Sequence, residues 1–292
     1  MLHAMEQIRR MRGGAQAHLM RCSDAHYYVV KFQNNPQHRR VLVNELLGTR
    51  LARRLGLPTA PVAIVEVGEQ LIRLTEELRI ELPLHRVPCT AGPQFGSRYP
   101  GNPRRLMVND FLADEDLSQV ENVDEFAGML VFDKWTCNTD GRQTVFFKDK
   151  RSRRSLPPDT PGQTDKIECL PQSALPSGYN YQTIMIDQGF CFNAGDWDFP
   201  DAPLRGLYAR NVVYQNVTGM KSFEPWLERL EKEITERVLD EESRDIPPEW
   251  YGNDYAALYR LLEQLYRRRS RVPELLLQAQ RSNRQPFAYW LN

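Results

Sequence analysis

Gly13 and Gly14 in "RGGAQAH", Lys31 in "YYVVKF", Glu45 in "NELLGTRL", Asp187 in "IMIDQGF" and the polar turn "NTDGRQ" around Asp140 carry the reactive groups of this sequence. Adjacent glycines let backbone amides approach phosphate oxygens closely, and a lysine one strand away can neutralise the same phosphates. A glycine-rich hairpin turn beside a surface lysine is the plain alternative. Lys31 is set in an apolar run, and Glu45 stands beside Leu46 and Leu47 in a helical pattern. Charges in such places need partners, so the two are expected to pair and hold the lysine toward nucleotide phosphates. A surface glutamate is the competing reading. Asp187 ends an apolar strand and is followed shortly by Gly189, a placement that suits a Mg²⁺ ligand at a cleft edge or an ordinary Asx-turn.

These groups need a scaffold. Residues 8–11, "HLM" and "YYVVKF" read as strands, with the loop "NNPQHRR" leading into a helix over residues 39–55. In that helix Val43, Leu46, Leu47, Leu51 and Leu55 share a face, Gly56 ends it and Pro58 prevents its resumption. "APVAIVEVGEQLIRL" reads as two strands on either side of Val67, Gly68 and Glu69. "FGSRYPGNP" is the expected connector between two lobes. A helix over residues 123–135 precedes "TVFFK" and "YQTIMID", which should pair and so bring Asp187 close to Asp140. Helices are expected at residues 223–238, 255–268 and 273–279. His18, beside the glycine turn, reads as an exposed loop histidine, and Trp135, Trp226 and Trp250 as core residues.

The architecture expected is α+β and bilobal, a β-rich N-lobe over residues 1–98 and a mainly helical C-lobe over 99–292, with a mobile Pro- and Ser-rich insertion at about 149–180. Lysine plus arginine and aspartate plus glutamate balance at 38 each across 292 residues, which argues against a nucleic-acid partner. Five scattered cysteines with no Cys-x-x-Cys pair point to free thiols and a cytoplasmic protein. No apolar run is long enough to span a membrane. The sequence carries no mark of oligomeric state.

The order of "RGGAQAH", "YYVVKF", "NELLGTRLARRLGLP", "FGSRYPG", "FDKWTCNTDGRQTVFF", "IMIDQGF" and "IPPEW" resembles the HipA-like kinases, members of the protein-kinase-like fold that also includes phosphatidylinositol kinases. The resemblance implies transfer of the ATP γ-phosphoryl group with Mg²⁺, most directly to protein Ser/Thr hydroxyls. It also implies roles: Gly13 and Gly14 cover the phosphates, Lys31 contacts them and Glu45 holds Lys31. Asp187 binds Mg²⁺, and Phe95, Gly96 and Ser97 lie at the connector where adenine meets backbone.

Two aspartates compete for the acceptor hydroxyl. The step from Asp133 to Asn138 equals the aspartate-to-asparagine step of ordinary protein-kinase catalytic loops, but Asp133 falls inside a helical pattern beside Phe132 and Trp135. Asp140 sits in the turn just before the strand and is the expected catalytic residue. In HipA-like kinases a metal-binding asparagine follows that turn, and here its position is Val145. Gln143 or Asn138 is the expected substitute. The departure leaves two functions open, an active phosphotransferase and a nucleotide-binding pseudokinase or scaffold.

Overall fold

The structure, a computed structural model, describes residues 1–148 and 181–291; the expected insertion at about 149–180 lies outside the described residues. Strands β1 (Leu2–Arg10), β2 (His18–Cys22), β3 (Tyr27–Lys31), β4 (Val62–Val67) and β7 (Gly92–Arg98) close into a barrel in the order β1-β2-β3-β7-β4. Every pairing is antiparallel except the short parallel contact of β1 with β4, and two register shifts in β1 supply the bend that closure needs. Period-two alternation turns Met20, Cys22, Tyr28, Val30, Val65 and Val67 inward as the barrel's own core. Gly96 is required there: a Cβ on it would come 2.5 Å from Val65 Cγ2, so a bare backbone lets β7 lie against β4.

Helix α1 (Val41–Arg54) bears out the helix expected over residues 39–55, but it is buried on nearly every face. It belongs to a second, larger core shared with the helical half of the chain, which includes Leu46, Leu51, Phe126, Trp135, Trp250 and Leu265. Gly56, at φ +76°, turns the chain out of α1, and Leu57 N bonds back to Ala52 O at 3.0 Å. The second strand expected after Gly68 is instead α2 (Glu69–Leu74). Both edges of β4 are already taken, by β1 and β7, so no ladder is open to it. Leu71 and Ile72 pack on the barrel core, joined by the hairpin of β5 (Arg79–Glu81) and β6 (Arg86–Pro88).

Beyond β7, strands β8 (Val108–Asn109), β9 (Gln143–Lys148) and β10 (Tyr181–Ile186) form a sheet in the order β10-β9-β8. Helices α3 (Asp114–Leu117), α4 (Glu125–Thr136), α5 (Glu224–Glu233), α6 (Glu236–Ser243), α7 (Tyr255–Arg268) and α8 (Val272–Gln280) lie in the same part of the chain, among short 3₁₀ turns. The single helix expected over residues 223–238 is divided: Ile234 leaves helical geometry, and the Thr235 side chain accepts from Val238 N at 3.2 Å to cap α6. A β-rich first part and a mainly helical remainder together give the expected α+β architecture.

Candidate active site

Lys31 ends β3, Glu45 lies in the second turn of α1, and Asp187 follows β10 directly. The Lys31 ammonium bonds Glu45 Oε1 closely and Asp187 Oδ1 at 2.8 Å. Side-chain exposures of 10% for Lys31, 3% for Glu45 and 21% for Asp187 show that only the last keeps much access to solvent. Burial works against the lysine's charge, but the two carboxylates outweigh it and raise the Lys31 pKa, so the ammonium stays charged. Two carboxylates then share one cation. Burial, reinforced by Asp187, raises Glu45 against the pull of Lys31, while Asp187 is lowered because Lys31 and its hydrogen bonds overcome burial. The more accessible acid therefore carries the negative charge most firmly.

The chain reaches this arrangement through close approach. A Cβ on Gly189 would sit 2.8 Å from Val41 Cγ2 and 3.1 Å from Glu45 Oε1, so glycine lets the segment after Asp187 lie on α1. Gln188 N donates to Glu45 Oε2 at 3.1 Å. Asp187 itself has φ +60°, a left-handed conformation that ends the strand.

Gly13 and Gly14 are exposed in the β1–β2 loop, Gly13 at φ +111°. The loop is pinned at both ends: Met11 N bonds Ala17 O at 2.8 Å, and Gln16 exchanges bonds of 2.8 and 2.7 Å with the Glu81 backbone. Asn35 Nδ2 reaches Ala15 O at 3.3 Å, and Gln37 Nε2 lies 3.5 Å from where a Gly14 Cβ would be. His38 follows, with Nε2 2.8 Å from Gly189 O, so residues 35–38 connect the glycine turn to the Asp187 segment.

On the other side, the β9–β10 register pairs Gln143 with Ile186 and brings the Asp140 turn to the end of the sheet where Asp187 lies. Asp140 is exposed and held by its own turn: its N–H donates to Asn138 Oδ1 at 3.1 Å, and its carboxylate accepts from Gly141 N at 2.8 Å and Gln143 Nε2 at 3.0 Å. Asp133 is a buried helix residue, as its apolar neighbours implied. Arg142 grips it with two guanidinium nitrogens, and Arg142 Nη1 also donates to Ile186 O at 2.9 Å and Gln188 Oε1 at 2.6 Å. The Asp133–Arg142 pair thus ties the Asp140 turn to the Asp187 strand from behind.

Asn138 is buried, with Nδ2 donating to Asp133 Oδ1 at 2.9 Å and Oδ1 accepting from Asp140 N, so it braces the turn from inside and does not stand open to solvent. Two sequence expectations require correction. Phe95, Gly96 and Ser97 are in the middle of β7, between β3 and β4, rather than in a connector. Ladder bonds on both sides occupy their backbone groups, Phe95 fills the large core, and none is free to meet adenine. His18 is fully buried in β2 with its ring edge on Phe32, and burial, then the charge of Arg10, lowers its pKa to about 4. Sequence reasoning also passed over Asn44 and Arg142. Asn44 was visible in principle, since asparagine is a poor residue for an apolar helix interior; Arg142 gave no local signal.

The donor set suits a nucleotide and its divalent cation: a buried lysine, a glycine turn and one accessible carboxylate. Among the described residues no group of three or more His, Cys, Asp or Glu gathers as a metal centre. A cation bound chiefly through phosphates needs only one or two carboxylates. No helix among the described residues is long and apolar enough to cross a membrane.

Residues 4–147 match the family model of the HipA-like kinases. The resemblance read from the motifs is real over that stretch. It includes Gly13, Gly14, Lys31, Glu45, Asp140 and Gln143, and stops before Asp187. No curated protein matches the chain. Among solved structures the chain is similar to the Golgi casein kinase with Mn/ADP bound, at 12% identity and TM-score 0.49, covering 97% of this chain and 73% of that one. It is also similar to the Helicobacter pylori proinflammatory kinase CtkA, at 14% identity and TM-score 0.49, covering 92% and 95%. The HipA-like match supports a kinase-type phosphotransferase.

Proposed function

We propose that the protein is a Mg·ATP-dependent kinase that phosphorylates an alcohol hydroxyl, with protein Ser/Thr side chains as the acceptor class. The observation that carries this reading is the buried Lys31–Glu45–Asp187 constellation, which joins β3, α1 and the end of β10 at one point. Residues 1–98 serve as the nucleotide-binding lobe and 99–292 as the catalytic lobe. Lys31 neutralises phosphate charge and Glu45 keeps it in place, while the Gly13–Gly14 turn offers its backbone amides. Asp187 holds the cation, with the Gln143 carbonyl oxygen as the second donor in place of the absent asparagine. Bound with the nucleotide, Mg²⁺ supplies charge neutralisation at the β- and γ-phosphates. Asp140 accepts the hydroxyl proton as the acceptor oxygen bonds to Pγ and the bond from Pγ to the ADP oxygen breaks.

Val145, where HipA-like kinases carry the asparagine, favours a second reading, in which the fold binds nucleotide without transfer. Nucleotide binding and phosphoryl transfer to a mixed peptide library, measured for the wild type and for Lys31→Ala, Asp140→Ala and Asp187→Ala, separate the two. The kinase reading expects transfer by the wild type, and tight Mg·ATP binding with none would establish the second. The four described cysteines are free and buried, which supports a reducing, cytoplasmic setting.

A further inference from the structure

Asn44 precedes Glu45 in α1 and is fully buried, yet phosphate binding makes no use of it. Its Nδ2 lies 2.9 Å from Gly189 O, 2.8 Å from Cys191 O and 2.7 Å from Ala194 O, and its Oδ1 accepts from Trp197 Nε1 at 2.8 Å. An amide nitrogen carries two hydrogens, so three carbonyls share two protons and the donor capacity is saturated. All four partners belong to the segment that follows Asp187.

That segment is costly to hold. Phe192, Asn193, Ala194 and Trp197 have φ of 60°, 55°, 57° and 56°, and each left-handed non-glycine residue costs about 1–2 kcal/mol. Such a run persists only where its surroundings over-determine it. Arg40 adds a bond to Gly195 O at 3.0 Å and stacks 4.1 Å from the Trp197 ring, and His38 meets Gly189 O. Helix α1 is anchored on its far side, where Arg50 meets Asp245 at 2.5 and 2.9 Å and Arg54 meets Glu242 at 2.5 Å.

We infer that Asn44 is a positioning residue: it locks residues 188–197 onto α1 and thereby fixes Asp187 beside Lys31. Adjacent residues of one helix then set both halves of the cation and phosphate site, Glu45 through the lysine and Asn44 through the aspartate. The consequence for metal binding rests on the kinase reading, whereas the locking of the segment does not.

Asn44→Asp tests this, because it preserves shape and the acceptor for Trp197 while removing the donor. Amide hydrogen exchange without nucleotide should accelerate about tenfold or more across residues 188–197 and stay unchanged across residues 41–54. The Mg²⁺ concentration for half-maximal ATP binding should rise about tenfold, while ATP affinity at saturating Mg²⁺ changes less than about twofold. Trp197→Phe, which deletes the indole N–H donor and keeps a smaller aromatic ring in its place, should accelerate exchange in the same segment by a smaller factor. Unchanged exchange at 188–197 in folded Asn44→Asp, or equal loosening of α1, overturns the inference. If Asn44→Asp does not fold, unchanged exchange in Trp197→Phe overturns it. A wild type that binds no Mg·ATP defeats the kinase reading, and the exchange comparison still decides the role of Asn44.

Discussion

Around Lys31, three charged groups from β3, α1 and the end of β10 meet in a mostly buried site, with Lys31 and Asp187 separated by 156 positions in sequence. Around Asp140, one exposed carboxylate is held by Gly141 and Gln143, its own neighbours in the turn. A buried charge without a partner is expensive, so the folded chain must assemble the first site or lose stability. An exposed carboxylate carries no such penalty, and its placement is inherited from the Asp133–Arg142 pair behind it. The Lys31 half of the site is thus enforced by folding, and the Asp140 half is an accessible turn mounted on a rigid base.

Substitutions should separate the two halves. Asp140→Ala is expected to reduce phosphoryl transfer by about 10²–10⁴-fold while ATP affinity and the unfolding midpoint hardly move, as read by initial rates, calorimetry and urea titration. Lys31→Ala leaves Glu45 and Asp187 facing each other without their cation. It should cost about 3–5 kcal/mol in urea unfolding and abolish measurable ATP binding. Asp133→Asn should behave like the Lys31 substitution in stability, losing about 3–5 kcal/mol, even though it lies beside the Asp140 turn. If Asp133→Asn instead lost transfer with full stability, the division between an enforced base and a mounted turn would be wrong.

The barrel offers a test by pH. His18 takes up a proton near 6.5 when unfolded and only near about 4 when folded, so the unfolded state binds more protons between those values. Stability is therefore complete above about pH 6.5 and falls toward pH 4, by about 3 kcal/mol. His18→Phe should flatten that slope in urea titrations at stepped pH, whereas Asp140→Ala should leave it intact. The smallest effect belongs to Gln143→Ala, expected to raise the Mg²⁺ requirement for transfer by less than about tenfold. No change there would remove Gln143 from the metal set.

Much of this was legible from local pattern. The helix over α1, the pairing of β9 with β10 and the assignment of Asp133 to a helix followed from apolar periodicity, because burial imposes the period of the element on its residues. The misreadings occur where neighbours in space decide. Residues 69–74 have strand-like composition, but both edges of β4 were taken. "FGSRYPG" looks like a connector, and β7 begins before it and runs through its first residues because Gly96 allows close contact with Val65. His18 follows a polar turn, and the barrel closes over it.

By itself the sequence determined which reactive groups exist and which elements carry them: a lysine ending a strand, a glutamate inside a helix, an aspartate after a second apolar strand. Only the tertiary structure decided that these three meet, that Asn138 bonds to Asp133, and that Asn44 grips the segment beyond Asp187. The reason is physical. Periodicity records which side of an element is buried, but the partner of a buried polar group is chosen by whichever distant backbone or side chain the packing brings within hydrogen-bond reach.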